Sequence, residues 1–129
     1  MFDNWFFCSN VVSNDALSST VQGMADRLLH RGSNDSGTWV DAEVRLALGH
    51  RRFSILDLSP ARNQPAKSVS SRYVIIFNGE VYNHLELRSE LGAISWRGHS
   101  DIETLLAAIE TWGLNRTLLR LVSMFAFAL

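Results

Sequence analysis

The chain has 129 residues, of which 47% are hydrophobic, with a formal net charge of −1 at pH 7 and one cysteine. That length allows a single domain, and the near-neutral charge argues against a nucleic-acid partner or a membrane-surface role. No apolar run approaches the roughly 20 residues that cross a bilayer. One cysteine excludes an internal disulfide and a cysteine-based zinc site. The N-terminus does not resemble a signal peptide, so we expect a cytoplasmic location.

The first part of the chain predicts a strand followed by a helix. Residues 1–12 are aromatic and apolar and predict the strand. Ser13 or Asn14 then caps a helix from about Asp15 to Leu29, and Gly32 ends it. The apolar residues of this helix fall on one face at helical spacing: Leu17, Val21, Met24 and Leu28.

Extended segments are predicted after this helix. Strands are expected at residues 38–40 and 44–49, and the second alternates apolar side chains with others, namely Val44, Leu46 and Leu48 on one face against Arg45 and Ala47. The extended backbone continues through residues 51–58. Residues 59–71 hold both prolines and predict a loop.

A buried strand, a turn and a helix are predicted next. Tyr73–Phe77 is rich in strand-forming residues, and Asn78-Gly79 predicts a turn because both residues tolerate positive φ. Asn83 is expected to cap a helix over His84–Leu91, with Glu86 as the return arm of a capping box. Such a corner aims N–H groups and a side-chain amide at one point. It could bind an anion or a developing oxyanion, or it could be an ordinary corner.

The last third predicts a long helix with shorter elements around it. Ser100 and Glu103 form a second capping box that opens a helix over Asp101–Trp112, and Gly113 stops it. A strand is predicted at 95–97, a helix at 116–121 and an apolar strand at 124–129. Domains rarely end on an apolar strand with an open edge, so we expect that the sequence stops partway through a fold.

Several reactive side chains allow two interpretations. Asp101 either complements the helix dipole, which is worth about 0.3–1 kcal/mol, or holds a substrate ammonium group. Arg51 and Arg52 either bind a carboxylate or face solvent. Cys8 lies among bulky residues and is expected to be a buried, inert thiol. The histidines show no metal-ligand spacing, so no metal site is predicted.

Seven blocks of sequence stand out in order from about Asp15 to the end of the chain. They are residues 30–37 (HRGSNDSG), 48–59 (LGHRRFSILDLS), 64–65 (QP), 77–84 (FNGEVYNH), 86–91 (ELRSEL), 98–106 (GHSDIETLL) and 124–129 (MFAFAL). In order and spacing they resemble the class II glutamine amidotransferase domain of glutamine-hydrolysing asparagine synthetases.

The resemblance implies an α+β fold, as part of the Ntn-hydrolase αββα sandwich, in which two antiparallel sheets pack face to face with helices outside. It implies that an N-terminal cysteine, with its own α-amino group as base, attacks the side-chain amide of glutamine. A γ-glutamyl thioester forms, and ammonia leaves for asparagine synthesis in a second domain. Water then releases glutamate.

The same resemblance implies that residues 1–129 are a truncated amidotransferase domain, because the family continues past residues 124–129 into further strands, and that the synthetase domain is absent from them. Glutamine is the implied small-molecule ligand. No cofactor is expected in this chain, since ATP and magnesium would belong to the synthetase domain. A partner chain could supply the missing strands or that domain.

By motif, the resemblance implies roles for residues on the buried strand and the long helix. Asn78, through its side-chain amide, and Gly79, through its backbone N–H, would form an oxyanion hole. Glu80 and Asp101 would receive the α-ammonium group of glutamine.

Other roles fall in the first half of the chain. Arg52 would bind the α-carboxylate of glutamine, and Phe53 and Ile55 would line the pocket. The sequence departs from the family at position 2, where Phe2 replaces the cysteine nucleophile. A phenylalanine ring has no nucleophilic atom, so we expect glutaminase chemistry to be absent. Cys8 could act as the nucleophile only if the peptide bond before it were cleaved, because that cleavage would expose its α-amino group.

Several functions remain open on these residues. The chain could be an inactive remnant of an asparagine synthetase, a glutaminase subunit completed by another polypeptide, or a non-catalytic glutamine-binding module. The amide acceptor could also belong to sugar or polysaccharide modification, because that choice lies in the absent domain.

Overall fold

The computed structural model describes residues 4–8, 13–28, 35–52 and 63–129. They form two compact units: the first comprises Met1–Leu58 with Asn63–Pro65, and the second comprises Ser59–Arg62 with Ala66–Leu129. Each unit holds a three-stranded sheet with antiparallel pairing, and helices accompany both. The predicted α+β fold with antiparallel sheets is therefore confirmed. The face-to-face sandwich stays a prediction.

The first unit is built on a central strand with a partner on each side. Its elements are β1 (Asn4–Cys8), α1 (Asn14–Arg27), β2 (Asp35–Asp41) and β3 (Leu46–Arg52), with the sheet order β1-β3-β2. Ser13 caps α1, because its hydroxyl accepts a hydrogen bond from the Ala16 N–H at 3.3 Å. The helix ends at Arg27, earlier than predicted, where the Leu28 N–H bonds back to the Ala25 carbonyl. Gly32 lies outside the described residues.

The core of the first unit joins α1 to the sheet. Leu17 and Val21 of the helix pack with Ala47 of β3, and Val40 of β2 packs against them. The predicted alternation over 44–49 is wrong, because Ala47 and Leu48 are both buried while Val44 is 65% exposed. Two physical reasons explain the error. Positions on both faces of β3 are covered, and residues 42–45 form the turn that precedes it.

The second unit contains the elements that hold most of the candidate site. They are β4 (Ala66–Lys67), β5 (Val74–Val81), α2 (His84–Leu91), α3 (Asp101–Trp112), α4 (Leu114–Leu118) and β6 (Ser123–Ala128), with the sheet order β4-β5-β6. The predicted bounds of α2 and α3 are confirmed, and Gly113 ends α3 at a φ of 81°. Helix α4 begins and ends earlier than predicted. The loop predicted at 59–71 contains β4.

Residues 95–97, predicted as a strand, have no strand structure. The reason is that the Arg97 N–H bonds to the carboxylate of Glu103 at 2.7 Å instead of to a neighbouring strand. This short stretch therefore belongs to the irregular segment between α2 and α3.

The core of the second unit lies between β5 and the helices α2 and α3. Its buried members are Ile75, Phe77 and Val81 of β5, Leu87 of α2, and Ile102, Leu105, Leu106 and Ile109 of α3. Burying each such side chain contributes about 1.5–3 kcal/mol relative to exposure. This packing holds the end of β5 beside the beginning of α3.

The predicted turn at Asn78-Gly79 is wrong, because β5 continues through both residues to Val81. Asn78 pairs with Ala126 and Gly79 pairs with Phe125. Glycine is required at position 79 by close approach: its φ is 152°, and a Cβ there would lie 2.2 Å from the Met124 carbonyl oxygen. The dipeptide thus marks a tight strand pairing instead of a reversal.

Candidate functional site

Two of the predicted site residues share one face of β5. Asn78 and Glu80 are two positions apart in the strand, so their side chains project from the same side of the sheet. Asn78 is half-buried and Glu80 is exposed. Across the pairing with β6, Asn78 faces the small residue Ala126, and Glu80 faces Met124.

The backbone N–H groups of β5 divide between its two edges. The Tyr82 N–H, just after the strand, donates to the Val122 carbonyl at 2.9 Å, on the β6 side. Since N–H groups alternate in direction along a strand, those of Gly79 and Val81 point to the opposite edge. Strand β4 pairs with that edge at Val74 and Ile75, before the site begins.

Asp101, the first residue of α3, lies at this same edge. Its Oδ2 accepts a hydrogen bond from the Val81 N–H at 3.1 Å, and its Oδ1 accepts from the Ile102 N–H at 3.0 Å. A carboxylate offers about four lone-pair positions, so these two bonds leave capacity for a further donor. The structure therefore brings the Asp101 carboxylate to the edge that also carries the Gly79 N–H.

The spacing of these two groups suits a small polar molecule. Gly79 and Val81 are two residues apart, which corresponds to about 6–7 Å along a strand. In extended glutamine, the α-nitrogen and the side-chain carbonyl oxygen are separated by five bonds and hence by roughly 6 Å. The spacing along the strand is therefore similar to the distance between the two polar ends of such a molecule.

Asn83 has a different role from the predicted capping box. Its side chain makes no cap hydrogen bond to α2. Its amide nitrogen donates to the Arg120 carbonyl at 2.9 Å, and its amide oxygen accepts from the Val122 N–H at 2.9 Å. The predicted capping box with Glu86 is wrong. The Asn83 side chain instead bonds a carbonyl and an N–H group of the segment that leads into β6.

The capping box at the start of α3 is confirmed at one residue and wrong at the other. The Ser100 hydroxyl accepts from the Ile102 N–H at 3.3 Å, as a helix cap does. The Glu103 carboxylate reaches beyond the cap and accepts from the N–H groups of Arg97 and Gly98, at 2.7 and 3.1 Å. Glu103 therefore fixes the segment before the helix.

The first unit carries the remaining candidates. Arg52 is the last residue of β3 and pairs with Asp35 in the sheet. Phe53, Ile55 and Phe2 lie outside the described residues, so their predicted roles stay predictions.

Arg51, the neighbour of Arg52, forms an ion pair within the first unit. Its Nη2 lies 2.7 Å from Oδ1 of Asp26, and its side chain is only 9% exposed. This ion pair joins β3 to α1, which gives Arg51 a structural role.

Two contacts around the candidate site were missed by sequence reasoning. The bond between Asp101 and the Val81 N–H joins residues 20 positions apart, and no local pattern signals such a bond. Arg88 on α2 bonds the segment that precedes Asp101. In the sequence, Arg88 is marked only by its place in the block of residues 86–91, and that block gave it no role.

Neither a metal-binding cluster nor a membrane-spanning helix is found among the described residues. Among those residues, no group of three or more His, Cys, Asp or Glu side chains could hold a metal ion. None of the helices in the described ranges is both long and apolar enough to cross a bilayer.

Comparison with known proteins gives the family of this chain. The family model described as "Glutamine amidotransferase domain" matches residues 7–129. A Mycobacterium tuberculosis protein named "Putative asparagine synthetase (glutamine-hydrolyzing)" is 42% identical over an alignment of 123 positions, which covers 87% of this chain and 18% of that relative.

Two further relatives have similar names. Asparagine synthetase (glutamine-hydrolyzing) 1 of Bacillus subtilis is 38% identical over 109 residues, covering 83% of this chain and 17% of the relative. Asparagine synthetase B (glutamine-hydrolyzing) of Escherichia coli is 40% identical over 101 residues, covering 78% and 18%. The chain thus spans less than a fifth of the length of these relatives. Since the family model matches almost the whole chain, the chain belongs to the class II glutamine amidotransferase domain family.

Proposed function

We propose that this chain carries the glutamine-binding site of a glutamine-hydrolysing asparagine synthetase. The Gly79 N–H and the Asn78 amide receive the side-chain carbonyl oxygen of glutamine. The carboxylates of Asp101 and Glu80 receive its α-ammonium group. In the family role, this site releases ammonia from glutamine for asparagine synthesis.

The arrangement of Gly79 and Asp101 on one edge of β5 carries this proposal. The Asp101 carboxylate accepts the Val81 N–H at 3.1 Å, two strand positions from the Gly79 N–H. A fixed donor at one end and a fixed anion at the other match the two polar ends of an amino-acid amide. Hydrogen bonds to charged groups are the stronger ones, so the ammonium group contributes more binding free energy than the neutral side-chain amide does.

The family resemblance assigns further roles to residues of the first unit. Arg52 binds the α-carboxylate of glutamine, because a guanidinium group matches a carboxylate with two parallel hydrogen bonds. Phe53 and Ile55 line the aliphatic part of the ligand. ATP and magnesium have no role in the proposed site.

Hydrolysis needs one more group, a nucleophile that attacks the amide carbon while ammonia leaves. In the proposed site, position 2 would supply that atom, and Phe2 has none. The proposed function of the 129-residue chain is therefore to bind glutamine without releasing ammonia. Without a nucleophile, the N–H groups of an oxyanion hole still donate hydrogen bonds to the carbonyl oxygen of the intact amide.

Calorimetric titration with L-glutamine tests the binding. We expect saturable heat with the unaltered chain and about 10- to 100-fold weaker binding after Asp101→Ala, the effect of losing a charged hydrogen-bond partner. Asp15→Ala is the matched control, because Asp15 also lies in the first turn of a helix. A flat titration with folded, unaltered protein would reject the proposal. Ammonia release by the unaltered chain at millimolar glutamine would reject its non-catalytic part.

A further inference from the structure

We propose that Arg88 of α2 is a positioning residue for the ammonium-binding carboxylate of Asp101. This inference rests on the proposed function for its ligand, but the geometry that it describes can be tested without one. Arg88 does not contact Asp101 through any hydrogen bond that the structure shows. It acts on the segment Gly98–Ser100, which leads directly into α3.

The guanidinium group of Arg88 bonds this segment and the helix behind it. Its Nη1 donates to the Gly98 carbonyl at 2.8 Å, and its Nη2 donates to the Ser100 carbonyl at 3.0 Å. Its Nε donates to the Thr104 hydroxyl at 2.7 Å. One rigid, planar group thus holds two carbonyls before α3 and a side chain one turn into it.

The environment of Arg88 keeps this group in one place. The side chain is 11% exposed, and its Nη2 lies 3.5 Å from Oε2 of Glu103. The guanidinium carbon lies 4.2 Å from the ring centroid of Trp96, a distance typical of a cation–π contact. A charge that is largely removed from water, paired and stacked has little freedom to move.

Glu103 completes the support from the other side of the segment. Its carboxylate accepts the N–H groups of Arg97 and Gly98, whereas Arg88 takes carbonyls. The Arg88–Glu103 ion pair therefore bonds both N–H and carbonyl groups of the backbone between residues 97 and 100. The backbone just before Asp101 is held by side chains of two different helices.

This support determines where the Asp101 carboxylate lies. The Ser100 carbonyl that Arg88 binds also accepts the Thr104 N–H at 3.3 Å, so it anchors the first turn of α3. Asp101 follows immediately, and its Oδ2 must lie within hydrogen-bond distance of the Val81 N–H. Displacements of about 1 Å are enough to weaken a binding or reacting geometry strongly. Lysine at position 88 keeps the charge but cannot form the fork.

Amide hydrogen exchange measured by NMR tests the placement. We expect Arg88→Lys to speed exchange of the Val81 N–H at least tenfold while leaving that of Ile75, on the same strand, unchanged. Asp101→Ala should have the same local effect. Arg116→Lys, at an exposed position of α4, is the matched control and should change neither amide. Unchanged exchange at Val81, or equal acceleration at Val81 and Ile75, would overturn the inference.

Ligand discrimination tests the link to binding. Glutaramate keeps the side-chain amide and the carboxylate of glutamine but lacks the α-amino group. We expect Arg88→Lys to weaken L-glutamine binding about tenfold, close to the loss of one charged hydrogen bond, and to leave glutaramate binding unchanged. Equal weakening for both ligands would overturn the positioning role. If the unaltered chain binds neither ligand, the proposed function fails, and the exchange of Val81 still decides whether Arg88 places Asp101.

Discussion

Asp101, the first residue of α3, accepts the backbone N–H of Val81, the last residue of β5, at 3.1 Å. Val81 is buried, so its N–H has little access to water and depends on this carboxylate. The Asp101 side chain therefore complements the helix dipole and accepts the last N–H of β5. It also lies where a ligand ammonium group is proposed to bind. The two interpretations of Asp101 that the sequence allowed are compatible in this geometry.

Two substitutions at Asp101 should separate these roles. Asp101→Asn keeps an oxygen acceptor for Val81 but removes the charge. The Ile102 N–H, which loses its bond to Oδ1, keeps the Ser100 hydroxyl as acceptor, so we expect about 0.3–1 kcal/mol of lost stability together with clear loss of glutamine binding. Asp101→Ala also leaves the Val81 N–H without its acceptor, and we expect it to cost about 1–3 kcal/mol. Urea unfolding at neutral pH measures both values. Equal destabilisation by the two substitutions would contradict the role of the Val81 bond.

Gly79 should tolerate no side chain. A Cβ there would lie 2.2 Å from the Met124 carbonyl oxygen and 2.6 Å from the Phe125 Cα, at a φ of 152°. Both contacts involve the backbone of β6, which cannot rotate aside, so the strands must separate. We expect Gly79→Ala to destabilise the second unit by about 2–5 kcal/mol, as strain and overpacking combine. Thermal and urea unfolding measure the change.

Two other glycines provide controls for Gly79. Gly113 has a φ of 81° but open space around its Cβ position, so Gly113→Ala tests conformation without a clash. Gly23 lies within α1 with nothing within 4 Å, and Gly23→Ala should stabilise by about 0.5–1 kcal/mol. If Gly79→Ala costs no more than Gly113→Ala, the close approach of β6 is not the reason for glycine.

The helices α2 and α3 could be predicted because the signals that define them are local. Ser100 caps α3 and Gly113 ends it, and the apolar residues between them follow helical spacing. The four residues expected around the oxyanion and ammonium groups, Asn78, Gly79, Glu80 and Asp101, also lie on elements that the structure brings together. Motif spacing identified them without locating them in space.

Two of the failed predictions concern residues whose partners are distant in sequence. Asn78-Gly79 has the composition of a turn, but pairing with residues 125 and 126 holds it in a strand. Asn83 has the position of a helix cap, but its amide bonds residues 120 and 122. In each case a tertiary contact across about 40 to 50 residues outweighs a local preference, and local patterns carry no information about such a contact.

Asn83 should stabilise the start of β6 through both ends of its amide. Asn83→Asp keeps the acceptor for the Val122 N–H but loses the donor to the Arg120 carbonyl, and we expect about 0.5–1.5 kcal/mol of lost stability. Asn83→Ala loses both bonds and should cost roughly twice as much. Asn115→Ala, at an exposed position of α4, is the control. A cap role would instead make Asp as good as Asn at this position, because both are preferred helix caps, so stability unchanged by Asn83→Asp would contradict the bonding seen here.

Glu110 should give the second unit a pH-dependent stability. Hydrogen bonds from the side chains of Ser68 and Ser70 lower the pKa of Glu110 below its usual value of 4.5, although partial burial opposes them. Because the folded state holds this carboxylate ionised more strongly than the unfolded state does, the stabilisation is present above about pH 4.5 and is lost as the pH falls through the lower folded-state value. Glu110→Gln should therefore reduce the free energy of unfolding at pH 7, and the difference from the unaltered chain should shrink as the pH is lowered below 4.5. Urea unfolding at a series of pH values measures this, with Glu43→Gln in the exposed turn after β2 as the control. A difference that stays constant from neutral to acid pH would show that ionised Glu110 contributes nothing to the stability of the fold.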